Sequence, residues 1–306
     1  MTEPWSAEHV VNAALACALI EARLPGLAPA RVEPLGAGFD NTAYLVNGTW
    51  VFRFPRRQVA LVLLRREVAL LPAVAPRVPL PIPVPEHVGA PSESYPWPFA
   101  GYRLLPGRTA CTLALSAEQR VAFAEPLARF LAALHAFPAG EAASLGAPGD
   151  ELGRTDVRMR RERSRVALAE LRQQGLVDDT ALLDFERILD AMPEDVPHPP
   201  AVLLHGDLYA RHLLVDASGH LAGVIDWGDV HLGHPAVDLS IAWGFLPARA
   251  RGAFHRTYGQ IDESTWRLAR FRALYHALSV VRYARAINDS DLLREGGLAL
   301  QHVRED

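Results

Sequence analysis

Two aspartates at the ends of short apolar runs are the residues of this sequence best suited to chemistry. Asp207 follows His205-Gly206, and Asp226 follows the apolar run from Leu221 to Ile225. Short runs separated by polar turns predict a small β-hairpin, which brings its ends together so that both carboxylates face one site. One carboxylate then accepts a hydroxyl proton while the other holds Mg²⁺ against the phosphates of a nucleotide. Phosphoryl transfer requires this division of labour, because its catalysis rests on positioning and charge neutralisation.

The segments around these aspartates resemble those of a known enzyme family. His205-Gly206-Asp207 and Ile225-Asp226-Trp227-Gly228-Asp229 are similar to the catalytic and metal-binding segments of the aminoglycoside and macrolide phosphotransferase family, the antibiotic kinases with a protein-kinase-like fold. The family usually carries Asn at the position of His212, and the macrolide branch resembles this sequence in carrying His there. The resemblance therefore favours the macrolide branch. It implies Asp226 and His212 as metal ligands, although imidazole prefers softer metals than Mg²⁺.

The resemblance implies an α+β, bilobal protein-kinase-like fold. A small β-rich nucleotide-binding lobe is expected over residues 1–102, and a larger, mainly helical catalytic and substrate-binding lobe over residues 103–306, with the nucleotide in the cleft between them. The implied reaction transfers the γ-phosphoryl group of ATP or GTP, with Mg²⁺, to a hydroxyl of a macrolide or an aminoglycoside. Asp207 is expected to be the base that orients this hydroxyl.

The N-terminal part carries the features of an expected nucleotide site. Residues 31–54 predict three strands, with Asn47-Gly48 as a tight hairpin turn. Gly36, Gly38 and Asn41 lie between the first two strands, where glycines let backbone N–H groups approach phosphates. The alternative is that these glycines only shape a turn.

Arg53 lies in the third predicted strand, at the position where protein-kinase-like folds carry a phosphate-gripping Lys. Glu67 follows in an apolar-periodic helix and is expected to pair with Arg53, as a helix Glu pairs with that Lys in the family. The alternative is that both side chains are solvated. Backbone groups of Arg103, Leu104 and Leu105 fall on the family's hinge and are expected to contact the nucleobase.

Two further residues are expected to orient the site. The resemblance assigns His205 to holding the loop by hydrogen bonds. Asp238 matches an Asp at a helix start in the family, and it is expected to cap a helix or to buttress the catalytic loop.

Three other functions stay open. Six of the 12 histidines lie between residues 198 and 234, which suggests a metal-dependent hydrolase, although their spacing matches no zinc signature. Its ligands would come from His205, Asp207, His212, Asp226 and His234. The resembling superfamily also includes kinases of choline, homoserine and sugars. A nucleotide-binding protein with little activity is the third alternative, because Arg53 and His212 both depart from the family pattern.

Composition excludes several classes of protein. With 306 residues, half of them hydrophobic, the chain is expected to fold as a globular protein with a sizeable core. A net charge of -4 gives no electrostatic case for nucleic acid. Two cysteines exclude a disulfide framework, and neither a signal peptide nor a membrane span is expected, so the cytoplasm is the expected location. The sequence does not indicate an oligomeric state.

The basic residues are all arginine, since the chain contains no lysine. Any cationic contact to phosphate must therefore come from arginine or from backbone N–H groups. Six arginines lie between residues 154 and 165 of a predicted helix. They predict a solvated basic face, with a lid over substrate or phosphate as the alternative. Another predicted helix begins after a cap at Ser6 and ends near Arg23.

Overall fold

The computed structural model describes residues 7–38 and 40–306, which divide into two compact units. The first unit contains the described residues up to Pro76, together with Pro81–Leu105 and the short segment Asp226–Asp229. The second unit contains Arg77–Leu80, Pro106–Ile225 and Val230–Asp306.

The first unit is built on an antiparallel sheet with the strand order β1-β2-β3-β5-β4. Its strands are β1 Val32–Ala37, β2 Asn41–Val46, β3 Trp50–Pro55, β4 His87–Gly89 and β5 Phe99–Arg103. Between β2 and β3, Asn47 and Gly48 have φ angles of 52° and 66°, as a two-residue hairpin turn requires. The three strands predicted for residues 31–54 are confirmed.

Two helices accompany this sheet: α1 Ala13–Arg23 and α2 Val59–Val74. The predicted start of α1 at Ser6 is wrong, because Asn12 caps the helix by accepting a hydrogen bond from Leu15 N; Ser6 itself lies outside the described residues. Upstream, the N–H groups of Glu8 and His9 donate to Arg56 O, which holds this segment out of the helix.

The second unit is mainly helical. Its helices are α3 Ala117–Ala122, α4 Ala124–His135, α5 Ala139–Ser144, α6 Val157–Gln173, α7 Asp179–Asp190, α8 Ala236–Leu239, α9 Ile241–Gly244, α10 Ala248–Tyr258, α11 Glu263–Ala286 and α12 Ser290–Arg304. Its strands are β6 Arg108–Thr109, β7 Val202–Leu204, β8 Leu213–Val215, β9 Leu221–Val224 and β10 His231–Gly233. None of the helices in the part of the chain described by the structure has the length and apolar character needed to cross a membrane.

Two small sheets and one long helix position the site in this unit. β8 and β9 form the predicted hairpin, extended by β6, whereas β7 pairs with β10 instead. Helix α11 packs against α6, α8, α9 and α12, and most of its apolar residues are buried. Through His276, this helix contacts Asp207 on the loop that follows β7.

Candidate active site

The loop after β7 is fixed by one buried carboxylate. Asp238 is fully buried, and its two oxygens accept hydrogen bonds from the backbone N–H groups of His205, at 2.7 Å, and Gly206, at 2.9 Å. Burial opposes ionisation of Asp238, but the hydrogen bond from His135 keeps its pKa below the usual value. Asp238 lies inside α8, whose N-cap is Pro235, so of its two expected roles it buttresses the loop.

His205 links this loop to the end of the hairpin. Its Nδ1 accepts the Asp207 N–H at 3.3 Å, which leaves the proton on Nε2 to be donated to Ile225 O at 3.0 Å. Burial lowers the pKa of His205 below its usual value, which favours this neutral form. The imidazole therefore acts as a fixed spacer between the residue before Asp226 and the backbone of Asp207.

Asp207 lies on this loop with 31% of its side chain exposed, so a substrate can reach it. Its Oδ1 is 3.0 Å from Nε2 of His276, and Nδ1 of His212 lies 3.8 Å from its Oδ2. Burial opposes ionisation, but the hydrogen bond from His276 and the positive charge of Arg272 hold the pKa of Asp207 well below its usual range. The carboxylate is therefore ionised at neutral pH, as a base must be.

Sequence reasoning missed His276. It lies on α11, far from Asp207 in the sequence, and no local motif marks it. Burial and the charge of Arg272 lower the pKa of His276, so the neutral imidazole donates its Nε2 proton to Asp207. The Tyr209 ring contacts His212 and His276 edge-on, at centroid distances of 4.5 and 5.1 Å. Asp207 thus has a histidine on each side.

The first unit carries a second charged cluster. Arg53 Nη1 lies 3.0 Å from Glu67 Oε2, and Arg53 Nη2 lies 3.4 Å from Asp226 Oδ1. Only 13% of the Arg53 side chain and 5% of the Glu67 side chain are exposed, so neither is a solvated surface residue. Burial opposes the charge of Arg53, yet Glu67 and Asp226 raise its pKa above the usual value.

Asp226 fits a role in binding Mg²⁺. Half of its side chain is exposed, and a carboxylate supplies the oxygen donors that Mg²⁺ prefers. Its φ of 65° lies in the left-handed region, which Asp tolerates better than most residues and which often marks functional sites. His212 fits less well, because it is buried, offers nitrogen, and donates its Nδ1 proton to Asp207 O at 2.7 Å.

The metal-hydrolase hypothesis lacks a metal centre. Within residues 7–38 and 40–306, no group of three or more His, Cys, Asp or Glu side chains is placed to hold a metal ion. His234, one of its proposed ligands, directs Nε2 to Pro197 O at 3.2 Å and accepts the Ala236 N–H at Nδ1. Both ring nitrogens of His234 are therefore occupied by backbone groups.

The turn between β1 and β2 leaves room beside its backbone. A Cβ atom on Gly36 or Gly38 would meet no described atom within 4 Å, so packing does not require glycine at either position. Asn41 Oδ1 is buried and has no hydrogen-bond partner among the described residues. Phe39 lies outside the described residues. Open space and an unpaired acceptor fit an approaching ligand.

The contacts expected between Arg103 to Leu105 and a nucleobase stay a prediction, and one backbone group of this segment is already hydrogen-bonded. The Leu104 N–H already donates to Thr49 O at 2.8 Å, so it is engaged within the sheet. The Arg103 guanidinium lies over the Trp50 ring, 4.0 Å from its centroid, and Leu105 is half-buried. A nucleobase would have to use the other backbone groups of this segment.

Comparison with known proteins places these motifs in one family. The model of the Phosphotransferase enzyme family matches residues 31–274. Viomycin phosphotransferase of Streptomyces vinaceus is 31% identical over 125 residues, which cover 40% of this chain and 43% of that protein. The aligned stretch thus spans less than half of that relative's length.

Solved structures of antibiotic kinases share the fold. The GDP complex of aminoglycoside 2'-phosphotransferase-IIIa has a TM-score of 0.69 and 25% identity, covering 96% of this chain and 99% of its own. Macrolide 2'-phosphotransferase type I has a TM-score of 0.58 and 23% identity, covering 95% and 98%, which shows the fold alone. The predicted α+β protein-kinase-like class is confirmed, while the macrolide branch stays a prediction. Because the family match covers most of the sequence, the chain belongs to the phosphotransferase enzyme family.

Proposed function

We propose that this protein is a small-molecule kinase that transfers the γ-phosphoryl group of ATP or GTP to a hydroxyl of an antibiotic-like acceptor. The observation that carries the proposal is the ionised, reachable carboxylate of Asp207, bonded to His276 on a loop fixed by Asp238. The acceptor oxygen forms a bond to the γ-phosphorus while the β–γ bridging oxygen leaves with the nucleoside diphosphate. The hydroxyl proton passes to Asp207.

Residues 1–102 are proposed as the nucleotide-binding lobe and residues 103–306 as the catalytic and substrate-binding lobe. Support comes from the open turn at Gly36 and Gly38, the unpaired Asn41 oxygen and the GDP found in a structural relative. Arg53, held by Glu67, is proposed to contact the phosphates, with Arg103 to Leu105 near the base. The nucleobase preference is a matter for measurement.

Asp226 is proposed to hold Mg²⁺, because it is the half-exposed carboxylate of the first unit's charged cluster. The ion supplies neutralisation of the charge on the β- and γ-phosphates. His212 remains a proposed ligand of lower chemical fit, and its hydrogen bond to Asp207 O gives it a role in shaping the loop in either case. A cytoplasmic location is proposed as well, where nucleotide and Mg²⁺ are available.

The acceptor is proposed to be a macrolide, with an aminoglycoside as the second choice. A pocket beside the catalytic loop is lined mainly by apolar side chains, among them Leu208, Phe245, Ala273 and Val280, together with Tyr209 and His276. The acidic residue in this lining is Glu295, which forms an ion pair with Arg120 at 2.8 Å. Its charge is therefore already balanced and would attract a positively charged aminoglycoside only weakly. The aminoglycoside alternative is supported by the names of the relatives, and a metabolite acceptor would need a polar pocket.

Nucleotide turnover by the purified protein tests the proposal. ATP or GTP with Mg²⁺ is supplied against macrolides, aminoglycosides and small alcohols, and product is measured by mass spectrometry. Asp207→Asn should reduce turnover by roughly 10²- to 10⁴-fold, because it removes the base. Asp195→Asn, a change of an exposed carboxylate in the same unit, is the matched control and should leave turnover unchanged.

The outcomes separate the alternatives. Turnover that requires Asp207 with one class of compound establishes the kinase and its acceptor class. Nucleotide binding without turnover on any compound favours the weakly active binding protein. Absence of nucleotide binding would contradict the kinase proposal altogether.

A further inference from the structure

Arg272 is a buried cation that forms no ion pair with an acidic side chain in the described part of the chain, although its charge acts on Asp207 through space. It lies on α11, one helical turn before His276, and only 6% of the residue is exposed. Its Nε and Nη1 atoms are buried without a hydrogen-bond partner, and the guanidinium forms no ion pair with any described residue. Its one contact of note is the Tyr275 ring, 4.6 Å from the guanidinium carbon. A buried charge without a partner is costly, so its retention needs a reason.

Neighbouring arginines increase this local positive charge. Arg160 also lies over the Tyr275 ring, with its guanidinium carbon 5.0 Å from the centroid, and Arg154 is buried nearby, where its backbone oxygen accepts the Tyr275 hydroxyl. Both differ from Arg272 in having partners. Arg160 donates to Gly153 O, and Arg154 pairs with Asp150 at 3.2 Å.

The run of arginines between residues 154 and 165 is therefore only partly the solvated face that the sequence predicts. Arg154 is buried and Arg160 is half-buried, and both face α11. Burial and repulsion from Arg272 lower the pKa of Arg160, which shows how closely the cations share this space. An incoming anion would relieve that repulsion.

We propose that Arg272, beside Arg160 on the Tyr275 ring, is an oxyanion-binding site one helical turn from the residue that holds the base. The inference rests on the proposed function and adds an anionic subsite to it. Arginine suits this task, because its planar fork matches the oxygens of phosphate and carboxylate groups. The oxyanion has two sources: the phosphoryl group in transfer, or an anionic group carried by the acceptor.

Thermal unfolding in inorganic phosphate tests the site without requiring activity. The wild type, Arg272→Met and Arg272→Lys are titrated with sodium phosphate at constant ionic strength. A parallel titration with sodium acetate tests whether the site also binds a carboxylate. Arg285→Met, which changes an exposed arginine on the same helix, is the matched control. Phosphate should raise the unfolding midpoint of the wild type and of the control in a saturable way, because a ligand that binds the folded state stabilises it.

Arg272→Met should lose this response and, without phosphate, should be at least as stable as the wild type, since an unpaired buried cation has been removed. Arg272→Lys keeps the charge but loses the fork, so it should respond weakly, and it serves if the Met variant does not fold. An equal phosphate response in wild type and Arg272→Met would overturn the proposal. So would a less stable Met variant with an unchanged response, which would mark Arg272 as structural.

Hydrolysis of nucleotide by water distinguishes the two sources, because water carries no anionic group. If the site binds the phosphoryl group, Arg272→Met should slow hydrolysis on the order of 100-fold, as loss of an oxyanion donor does. If it binds the acceptor, hydrolysis is unchanged and KM for the acceptor rises. If Arg272→Met changes neither the rate of hydrolysis nor the KM for the acceptor, the proposal is wrong. Failure of the wild type to turn over nucleotide would contradict the proposed function, while the phosphate titration would still decide on the anion site.

Discussion

Each unit of this protein buries an arginine close to a carboxylate, and the two arginines are treated in opposite ways. In the first unit, Arg53 lies within 3.4 Å of both Glu67 and Asp226, so its charge is compensated by its own unit. In the second unit, Arg272 has no such partner among the described residues, and the nearby Asp207 is bonded to His276 instead. Removing one member of a compensated buried pair leaves the other charge unpaired, whereas removing Arg272 leaves no buried partner behind.

The largest expected effect concerns the compensated pair. Arg53→Met should lower the free energy of unfolding by about 3–5 kcal/mol, because it leaves Glu67 buried without its cation. The double variant Arg53→Met, Glu67→Leu should recover most of this loss, since both charges are then absent. Denaturant unfolding measures both.

The control for this cycle is Arg31→Met, which breaks an exposed pair with Glu33 at 2.9 Å and should change stability little. If Arg53→Met proves no more destabilising than Arg31→Met, the ion pair between Arg53 and Glu67 does not contribute to the stability of the fold. The contrast with Arg272→Met, expected to be harmless to stability, would then disappear.

A smaller effect is expected at His276. His276→Phe removes the hydrogen bond that favours ionised Asp207, and turnover should fall on the order of tenfold, which is about 1.4 kcal/mol of barrier. His276→Gln keeps a donor and should restore part of the rate. His220→Phe, at the exposed partner of Asp216 on the hairpin, is the control and should have no effect.

The pH dependence of turnover shows whether His276 lowers the pKa of Asp207. Because the pKa of Asp207 is depressed, the stabilisation from its hydrogen bond is present above its ordinary pKa of about 3.9 and is lost as pH falls through the folded-state value. Removing His276 raises that pKa, so the acid limb of the turnover profile should move to higher pH in His276→Phe. An unmoved limb would mean that His276 acts only through packing.

The smallest effect is expected in the turn between β1 and β2. Under the proposed function, the open turn at Gly36 and Gly38 lies against the nucleotide phosphates, which Arg53 also contacts. Gly38→Ala meets no described atom within 4 Å, so the fold should be unchanged while nucleotide affinity weakens severalfold. Calorimetry of nucleotide binding measures this, with Gly140→Ala as the control at another open position. Unchanged nucleotide affinity in Gly38→Ala would favour the alternative in which the glycines only shape the turn.

Local signals explain what the sequence predicts well. Asn47-Gly48 predicts its own turn because both residues tolerate a positive φ. Arg53 and Glu67 meet because a strand and the following helix bring them together across 14 residues. These features arise within one element or between sequential neighbours.

Distant packing explains what the sequence does not predict. His276 reaches Asp207 across 69 residues of chain, and the pattern of α11 shows only an amphipathic helix. Arg272 gives no sign of burial, because arginine is ordinarily exposed and six other arginines in a nearby helix suggest a solvated face. Packing of α11 against α6 and α8 decides which of its charged side chains are buried, so the positions of His276 and Arg272 near Asp207 could be recognised only in the folded chain.

The guanidinium of Arg53 also has a consequence for chemical proteomics. Reagents that survey kinases often deliver an acyl group from a nucleotide phosphate to the lysine amine beside it. A guanidinium that stays protonated and is held by two carboxylates is a poor nucleophile toward such reagents, and the chain has no lysine elsewhere to react. Under the proposed function, this kinase would bind nucleotide and yet escape lysine-directed labelling, so surveys of resistance enzymes by that chemistry would undercount it.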